Sequence, residues 1–413
     1  MSKIKILVIP SDRTGVSWFR STAPHVHLEK MFPDEFHVDI DYEPDLNNDA
    51  FLKQYHIIHY HRQLGPFEQT EQLLAKLKSF GIKTIMDVDD YWAPGVHHPA
   101  FQIIKDNQLD KKIQNNVRLA ETVSTTTPVF ADEIRKFCKN VVVFPNAIDP
   151  TEKQFIPNPE PSTNGRLRIG WLGGSSHLYD LELLRGIVSK LKSDNLLDQV
   201  QFVLCGYDLR GVMNIKNAQT GEVTTRNIYP HESVWYKYEQ IFTGNYNFVS
   251  PEYKAHLLKF SQESYANEAN EPYRRVWTMQ ISTYATNYNL FDVSLAPLAE
   301  NKFNKMKSQL KVIEAGFHKK ALIAQDFGPY QIDLISYGKG DKINPDGNAL
   351  LVDSTKNHKQ WYQYIKMLIL DRGLVTELSQ RLHDTVKDTY HIDTVTKARR
   401  EFYKQLVAVP AMV

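Results

Sequence analysis

The sequence has almost no excess charge of either sign and no long hydrophobic run. Its 49 lysines and arginines nearly balance its 48 aspartates and glutamates, which leaves a formal net charge of +1. A chain so balanced has no global attraction to nucleic acid or anionic lipid, so any contact with a polyanion would have to be local. No window approaches the roughly 20 apolar residues that cross a bilayer. The apolar run Ile6–Ile9 is too short for the core of a signal peptide. These absences predict a cytoplasmic protein with no transmembrane segment.

Cysteine is also scarce, and glycine does not form a dinucleotide-binding pattern. The chain has two cysteines, Cys138 and Cys205, which lie far apart in apolar contexts. They fit buried free thiols in a reducing compartment. The turn after the first predicted strand contains Gly15 but not G-x-G-x-x-G, so a nicotinamide cofactor is not indicated.

The length and the pattern both predict two domains. At 413 residues the chain is too long for one ordinary core. In residues 1–157, short apolar runs alternate with helical patterns, which indicates parallel strands with crossover helices. The predicted strands are Ile4–Ile9, His56–Tyr60, Thr84–Asp87, Val123–Thr125 and Val141–Phe144, and the predicted helices are Ser21–Lys30, Glu68–Phe80, Lys111–Ala120 and Pro128–Phe137.

A proline-rich linker at 158–165 follows, since prolines 157, 159 and 161 cannot continue a helix or a central strand. The pattern then restarts, which predicts a second domain over 166–395, with an irregular aromatic insertion at about 206–280. A helix at 396–413 is expected to pack back on the first domain. The fold class is α/β, with two Rossmann-like domains facing across a cleft. The second domain's predicted strands are Leu167–Trp171, Gln201–Cys205, Val293–Leu298, Ala321–Ala324 and Asn348–Val352, and its helices are Asp180–Lys192, His358–Leu370 and Val375–Asp388.

The stretch 292–314 combines an apolar strand, a polar turn and a helix that begins near Ser308. The unpaired N–H groups and the dipole of a helix start form an anion site, and two lysines beside it, Lys307 and Lys311, suit a diphosphate. The Glu314 carboxylate only accepts hydrogen bonds, which suits sugar hydroxyls. We therefore predict a pocket for a nucleotide diphosphate sugar. The alternatives are a solvated basic face or a structural ion pair between Lys311 and Glu314.

In the first domain, three features lie at predicted carboxyl ends of strands, where doubly wound folds bind ligands. Gly15 would let the backbone approach a ligand, unless it is an ordinary turn glycine. His59 and His61 share one side of a strand, and either is a candidate acid, base or donor to a sugar. A packed or capping histidine is the alternative, and a metal is disfavoured. Asp87 and Asp89 form an Asp-x-Asp pattern that could hold a divalent metal, but a structural or acceptor-side role is preferred.

A glycine–serine turn follows the first strand of the second domain. Gly173, Gly174 and Ser175 can present N–H and hydroxyl donors to a phosphate. The alternative is a tight turn in which Ser176 or Asp180 caps the following helix.

In their order and spacing these segments resemble the GT-B glycosyltransferases, specifically glycosyltransferase family 4 and its relatives in bacterial and phage surface-sugar clusters. The resemblance covers nearly the whole chain and implies two Rossmann-like domains, with the donor nucleotide held mainly by the second. The segments that carry it are DRTGV, IIHYHR, DVDDYW, VFPNAID, RIGWLGGSSH, SLAPL, FNKMKSQLKVIEAG, ALIAQDFGPY and GNALLVD.

The resemblance also implies roles for individual residues. Glu314 matches the second glutamate of the paired-glutamate motif, which holds the ribose, whereas Met306 stands where the first glutamate is expected. Lys311 matches the diphosphate region, and His61 matches the histidine near the anomeric carbon. The backbone of Ser308, Gln309 and Leu310 also matches the region that binds the diphosphate, and Gly15 matches the glycine loop of the first domain. Gly173 and Gly174 match a loop where many relatives place basic phosphate ligands. In this chain the side chains of that loop are Ser175, Ser176 and His177.

We therefore expect a glycosyltransferase of polysaccharide biosynthesis that moves a sugar from a nucleotide diphosphate sugar to a hydroxyl of a carbohydrate or other acceptor. Lys311, Lys307 and the helix start would stabilise the leaving diphosphate, and family precedent implies retention of configuration without metal or cofactor. Three alternatives stay open: a nucleotide-sugar epimerase, a phage enzyme that glycosylates DNA bases, and a non-catalytic binding protein. The DNA alternative would use the aromatic and basic stretch Tyr273–Trp277 to stack bases. The non-catalytic alternative is suggested by Met306 and by the absence of the basic phosphate ligands from the Gly173–Gly174 loop.

Overall fold

A computed structural model describes residues 3–160, 162, 164–208, 211–216, 220–245, 272–338, 342–353 and 358–408. This part of the chain forms two α/β domains, each built around a six-stranded sheet. All neighbouring strands within each of these sheets are parallel. The α/β class and the two Rossmann-like domains are therefore confirmed.

The first sheet has the strand order β2-β1-β3-β4-β5-β6. Its strands are β1 Ile4–Ile9, β2 Phe36–Ile40, β3 Ile57–His61, β4 Lys83–Val88, β5 Thr122–Thr125 and β6 Val141–Val143. The helices are α1 Gly15–Ser17, which continues through a π-helical turn at Trp18–Thr22 into α2 Ala23–Met31, then α3 Asp49–Leu52, α4 Thr70–Ser79, α5 Phe101–Asp106, α6 Leu109–Leu119 and α7 Pro128–Ile134. The start of α7 is encoded locally, because the Thr127 hydroxyl caps the Phe130 N–H and Pro128 occupies the first turn.

The second sheet has the order β11-β8-β7-β12-β13-β14. Its strands are β7 Leu167–Leu172, β8 Val200–Tyr207, β11 Tyr273–Trp277, β12 Val293–Ala296, β13 Ala321–Gln325 and β14 Leu350–Val352, and a separate antiparallel hairpin is formed by β9 Val212–Lys216 and β10 Val223–Asn227. The helices are α8 Leu178–Leu181, α9 Ile187–Ser193, α10 Val234–Thr243, α11 Lys302–Lys305, α12 Leu310–Phe317, α13 Lys359–Leu370, α14 Arg372–Val386 and α15 Ile392–Ala408. Short 3₁₀ turns lie at Phe67–Gln69, Lys153–Phe155, Glu182–Leu184, Leu197–Gln199, Pro230–Glu232, Tyr284–Leu290 and Gly328–Ile332.

The predicted helix Asp180–Lys192 is wrong as a single element. The chain instead forms α8, a 3₁₀ turn and α9. The break comes at Gly186, whose φ of 101° lies in the left-handed region that glycine adopts at little cost. A side chain there would also collide with the ring of His358, which lies 2.5 Å from the position of a Cβ atom.

The stretch 206–280, expected to be irregular, contains regular elements in its described part. Besides the hairpin and α10 it contributes β11, which pairs with β8 at the edge of the central sheet. Residues 246–271 lie outside the described part of the chain.

The chain's last described helix returns to the first domain. In α15, Tyr403 is hydrogen-bonded to His25 of α2 at 2.7 Å, and Arg400 pairs with Glu35 at 2.6 Å. Cys138 and Cys205 are buried free thiols, as predicted. None of the helices in the described ranges is both long and apolar enough to cross a bilayer.

Candidate functional site

The order of strands reverses at one place in each sheet. The first sheet runs outward in both directions from β1 and β3, and the second from β7 and β12. At such a point the loops after neighbouring strands diverge and leave a crevice at their carboxyl ends, which is where open α/β sheets bind ligands. Most of the residues singled out in the sequence follow these strands, so the topology gathers them at two facing edges.

The two domains contact each other through these edges. The ring of His97 stacks on that of Tyr179 with centroids 4.1 Å apart, and the ring centroids of His98 and Phe303 are 5.0 Å apart. Near the same place Lys302 forms an ion pair with Glu133 at 2.8 Å. The turn before α12 therefore faces the first domain directly.

His61 lies at the end of β3 and is held on both ring nitrogens. Nδ1 is 2.8 Å from the Ser11 hydroxyl, and Nε2 is 2.9 Å from Asp89. Asp89 also accepts from Arg62 at 2.6 Å. Burial opposes ionisation of Asp89, but Arg62 and His61 outweigh it and hold its pKa well below the usual range. His61 is thus a fixed imidazole at the carboxyl end of β3, and a ligand would reach it only by replacing Ser11 or Asp89.

Gly15 faces the other domain. A Cβ atom at this position would lie 3.2 Å from Cδ1 of Ile281, so a larger residue would press on the second domain. Gly15 therefore allows the close approach of the two domains in this structure.

Asp87 and His59 belong to the interior of the first domain. Asp87 is fully buried and accepts hydrogen bonds from Arg20 at 3.0 and 2.8 Å and from Ser124 at 2.6 Å. His59 is fully buried with its ring 4.5 Å from that of His25. The structural interpretation of Asp87 and the packed interpretation of His59 agree with these contacts. Sequence reasoning did not identify Arg20, because its partner is 67 residues away.

Lys311 lies in the first turn of α12 and reaches the carboxyl end of β7. Its ammonium group donates to the carbonyl of Leu172 and lies 5.0 Å from the centre of the Trp171 ring. A Cβ atom on Gly173 would be 3.0 Å from this nitrogen, so the glycine lets the lysine approach the turn. Burial lowers the pKa of Lys311 to about 8, although Glu314 acts in the opposite direction. Gly174 and Ser175 continue the turn and are exposed.

The start of α12 has the free donors expected of an anion site. In the described part of the chain, no backbone carbonyl accepts the N–H of Ser308, Gln309 or Leu310. The Gln309 side chain is buried and donates to Tyr390 at 2.8 Å, so it anchors the helix start. Lys307 is half-buried with its ammonium 5.2 Å from the Phe303 ring centre. It has no carboxylate partner within 4.0 Å among the described residues.

Glu314 is already hydrogen-bonded on both oxygens. Tyr284 and Tyr288 donate their hydroxyl groups to it, the second at 3.0 Å, and the glutamate is only 4% exposed. Burial raises the pKa of Glu314, while Tyr284, Lys311 and Tyr288 act against this rise. No ion pair within 4.0 Å joins Glu314 to Lys311 in the described chain, so the simple ion-pair alternative is not what the structure contains. The tyrosines were missed because Tyr284 and Tyr288 lie between the expected insertion, at about 206–280, and the next predicted strand, Val293–Leu298, where no element was predicted.

His177 and Asp180 form a pair that sequence reasoning also missed. His177 Nδ1 lies 2.7 Å from Asp180 Oδ2. The other oxygen of Asp180 accepts the Ala299 N–H and the Asn304 side-chain amide, each at 2.8 Å. Asp180 therefore joins the turn after β7 to the turn after β12, and its interpretation as a helix cap is wrong. The spacing H-x-x-D at a helix start was the available signal.

Met306 occupies the position where the resemblance places a glutamate. It is 6% exposed and belongs to the hydrophobic cluster of the first domain, together with Trp92 and Phe130. Met306 therefore makes an apolar contact between the two domains.

The stretch Tyr273–Trp277, which the DNA alternative would use to stack bases, is the edge strand β11. Tyr273 and Arg275 are buried, and Arg275 pairs with Glu239 at 2.6 Å. Arg274 pairs with Glu160 at 2.7 Å. Tyr273 and Arg275 therefore belong to the interior of the second domain, Arg274 is held by Glu160, and Trp277 is half-buried.

Among the described residues, no three His, Cys, Asp or Glu side chains are close enough together to hold a metal ion. No protein-family model and no curated protein matches the sequence.

Solved structures do resemble the fold. The Anabaena protein HepE, in complex with UDP and glucose, superimposes with a TM-score of 0.56 at 11% identity, covering 98% of this chain and 100% of that one. The catalytic domain of starch synthase IV from Arabidopsis thaliana, bound to ADP and acarbose, gives 0.59 at 11% identity, with coverage of 99% and 100%. Trehalose-6-phosphate synthase OtsA gives 0.53 at 10% identity, with coverage of 86% and 73%. Identities this low show the fold alone, which is the two-domain GT-B architecture.

Proposed function

We propose that the chain is a glycosyltransferase that uses a nucleotide diphosphate sugar and transfers the sugar to an acceptor hydroxyl. One observation carries the proposal. The Lys311 ammonium, the Gly173 turn and the free N–H groups before α12 lie together at the carboxyl edge of the second sheet, where its strand order reverses. This combination of cation, close backbone and free amides suits a diphosphate. The structures of HepE with UDP-glucose and of starch synthase IV with ADP support it by fold.

In the proposed reaction the acceptor oxygen forms a bond to the anomeric carbon, while the bond from that carbon to the diphosphate oxygen breaks. Negative charge grows on the diphosphate. Lys311, with Lys307 and the α12 start, stabilises that charge and does the work that a metal ion performs elsewhere. Retention of configuration follows if the acceptor approaches from the face that the diphosphate leaves, with the diphosphate taking up the hydroxyl proton.

The remaining assignments rest on the family 4 resemblance. Glu314 would bind the ribose, whose hydroxyls would then take the place of those of Tyr284 and Tyr288. His61 would contact the donor sugar. Gly173, Gly174 and Ser175 would surround the phosphates. The acceptor we propose is a carbohydrate of polysaccharide biosynthesis.

The experiment is a thermal-shift panel of nucleotide sugars followed by a nucleotide-release assay with and without carbohydrate acceptors. A ligand at about 100 times its Kd adds about 2.7 kcal/mol of stability, which such a panel detects. We expect one donor class to bind, release of nucleotide to depend on acceptor, and a chelator to leave the rate unchanged. Failure of every nucleotide sugar to bind would overturn the proposal. Conversion of the sugar without nucleotide release would indicate an epimerase.

A second candidate is favoured by Met306. The apolar residue in the position of the motif's first glutamate is compatible with a non-catalytic nucleotide-sugar-binding protein. Tight binding of a donor with no turnover on any acceptor or in water would support that candidate.

A further inference from the structure

We infer that His177, held by Asp180, takes up a proton when the diphosphate of the nucleotide sugar binds, and so becomes the cationic phosphate ligand that its loop otherwise lacks. The inference rests on the proposed function and assigns a new role within the same site. It depends on the geometry of the imidazole, on its tautomer and on the charges that surround it.

The imidazole is held in one orientation. His177 follows the glycine–serine turn after β7, and its backbone N–H donates to the Tyr238 hydroxyl at 2.9 Å. Its Nδ1 lies 2.7 Å from Asp180, and its ring meets that of Trp171 edge to face at 5.8 Å between centroids. These three contacts fix both the backbone and the ring plane.

The contact with Asp180 also fixes the tautomer. Burial disfavours the ionised form of Asp180, but the hydrogen bond and charge of His177, the charge of Lys307 and the Ala299 amide lower its pKa. An ionised carboxylate only accepts hydrogen bonds, so Nδ1 carries the proton of the neutral ring. Nε2 then holds a lone pair. No described residue is hydrogen-bonded to Nε2, and the side chain is 16% exposed.

The surroundings keep the ring neutral while the site is empty. Burial and the nearby charge of Lys307 lower the pKa of His177 to about 4, Lys311 adds to this effect, and Asp180 opposes it. Tyr238 faces the backbone of His177. His98 lies across the domain contact near Lys307 and Asp180, and its own pKa is also lowered by burial and by Lys307. Among the described groups, Asp180 is the one carboxylate in direct contact with the ring.

A diphosphate reverses this balance. A lone pair on Nε2 repels a phosphate oxygen, whereas a protonated Nε2 donates to it. One phosphate charge at hydrogen-bond distance favours the imidazolium by roughly a thousandfold, which brings protonation of His177 near neutral pH within reach. The charge of the diphosphate also offsets the repulsion between His177, Lys307 and Lys311.

The sign of the pH dependence follows from linkage. The bound state holds more protons than the free state, so donor affinity increases as pH falls, by up to about tenfold per pH unit. The increase ends where the free ring is itself protonated, near a pKa of about 4.

The test is calorimetric titration with UDP-glucose, or ADP-glucose if the thermal-shift panel selects adenine, in two buffers of different ionisation enthalpy at about pH 6.5. The diphosphate of a nucleotide sugar does not titrate near this pH, so any proton taken up on binding is bound by a group of the protein. We expect wild type to take up most of one proton per nucleotide sugar bound, and His177→Gln to take up almost none. The variant should bind about fourfold more weakly, because the thousandfold preference acts on a ring that is almost wholly neutral in the free protein. His37→Gln, on β2 of the first domain, is the matched control and should behave as wild type.

The outcomes separate the two proposals. If neither nucleotide sugar nor any other in the panel binds, the proposed function fails and this inference fails with it. If wild type binds without proton uptake, or if His177→Gln takes up as much as wild type, the inference alone is overturned. The wild-type measurement is decisive even if His177→Gln does not fold, because zero uptake contradicts the inference without any variant.

Discussion

Asn146 of the first domain donates a hydrogen bond to the hydroxyl of Ser308 in the second domain, at 3.1 Å. The same Asn146 accepts from the guanidinium of Arg20, also at 3.1 Å. Arg20 in turn forms the buried ion pair with Asp87. The turn that precedes α12 is therefore connected to the interior of the opposite domain, and the proposed diphosphate site depends on how the two domains sit together.

Replacing Asn146 by alanine should weaken binding of the nucleotide sugar by roughly 2- to 12-fold, because one hydrogen bond of about 0.5–1.5 kcal/mol is lost at the domain contact. Calorimetric titration measures the change in Kd. Asn140→Ala is the control, since Asn140 bonds only within the first domain, to the carbonyl of Glu121. Equal Kd values for the two variants would show that the contact between Asn146 and Ser308 does not position the site.

Lys311→Ala should lower turnover by roughly 10²–10³ while the fold is kept, because it removes a preorganised charge from the leaving diphosphate. In wild type, kcat/KM should fall as pH rises through the Lys311 pKa of about 8, since the free protein then loses the charge. Steady-state kinetics with Lys305→Ala, an exposed neighbour, provide the control. Unchanged turnover in Lys311→Ala would remove this lysine from the mechanism.

Buried parallel strands could be predicted because they are continuous apolar runs. Every residue of β7, for example, is buried, and its sequence LRIGWL contains one charged residue. The strand β2 was missed for the opposite reason. Its sequence FHVDI lies at the sheet edge with four of five residues only half-buried, so polar residues interrupt the pattern.

Parts of the candidate site could be predicted for a topological reason. Gly173 and Lys311 approach each other because β7 and β12 flank the reversal of strand order. The alternation of strands and helices predicts the parallel sheet in which such a reversal can occur. The contacts of Glu314 with Tyr284 and Tyr288, and of Met306 with the first-domain cluster, depend on side chains meeting at tertiary contacts. No periodicity or spacing encodes such meetings.

Glu314→Gln tests the buried carboxylate through the pH dependence of stability. Burial raises the pKa of Glu314 above the ordinary 4.5, against the hydrogen bonds from the tyrosines. A raised pKa in the folded state means that the stability contributed at low pH is lost as pH rises through that pKa. Glutamine cannot ionise, so Glu314→Gln does not lose this stability. The unfolding free energy of the variant minus that of wild type should therefore become more positive as pH increases.

Urea unfolding at about pH 5 and about pH 7.5 measures the difference in unfolding free energy between Glu314→Gln and wild type. The control is Glu377→Gln, at an exposed position. If Glu314 also holds the ribose, the same variant should bind the nucleotide sugar more weakly at both pH values. A difference in unfolding free energy that does not change with pH would contradict the buried-carboxylate argument. Unchanged donor affinity would leave Glu314 with a structural role only.

Arg20 and Asp87 should show strong coupling in a double-mutant cycle. Arg20 is 1% exposed and Asp87 is fully buried, so Arg20→Met leaves an uncompensated carboxylate inside the first domain and should cost about 3–5 kcal/mol of unfolding free energy. Asp87→Asn leaves the opposite charge unpaired and should also be strongly destabilising. The double variant buries neither charge, so its loss should be well below the sum of the two single losses. Urea unfolding of the four proteins measures the coupling. Additive losses would mean that solvent or another group compensates each charge, and the connection from Asp87 through Arg20 and Asn146 to Ser308 would then have no energetic basis.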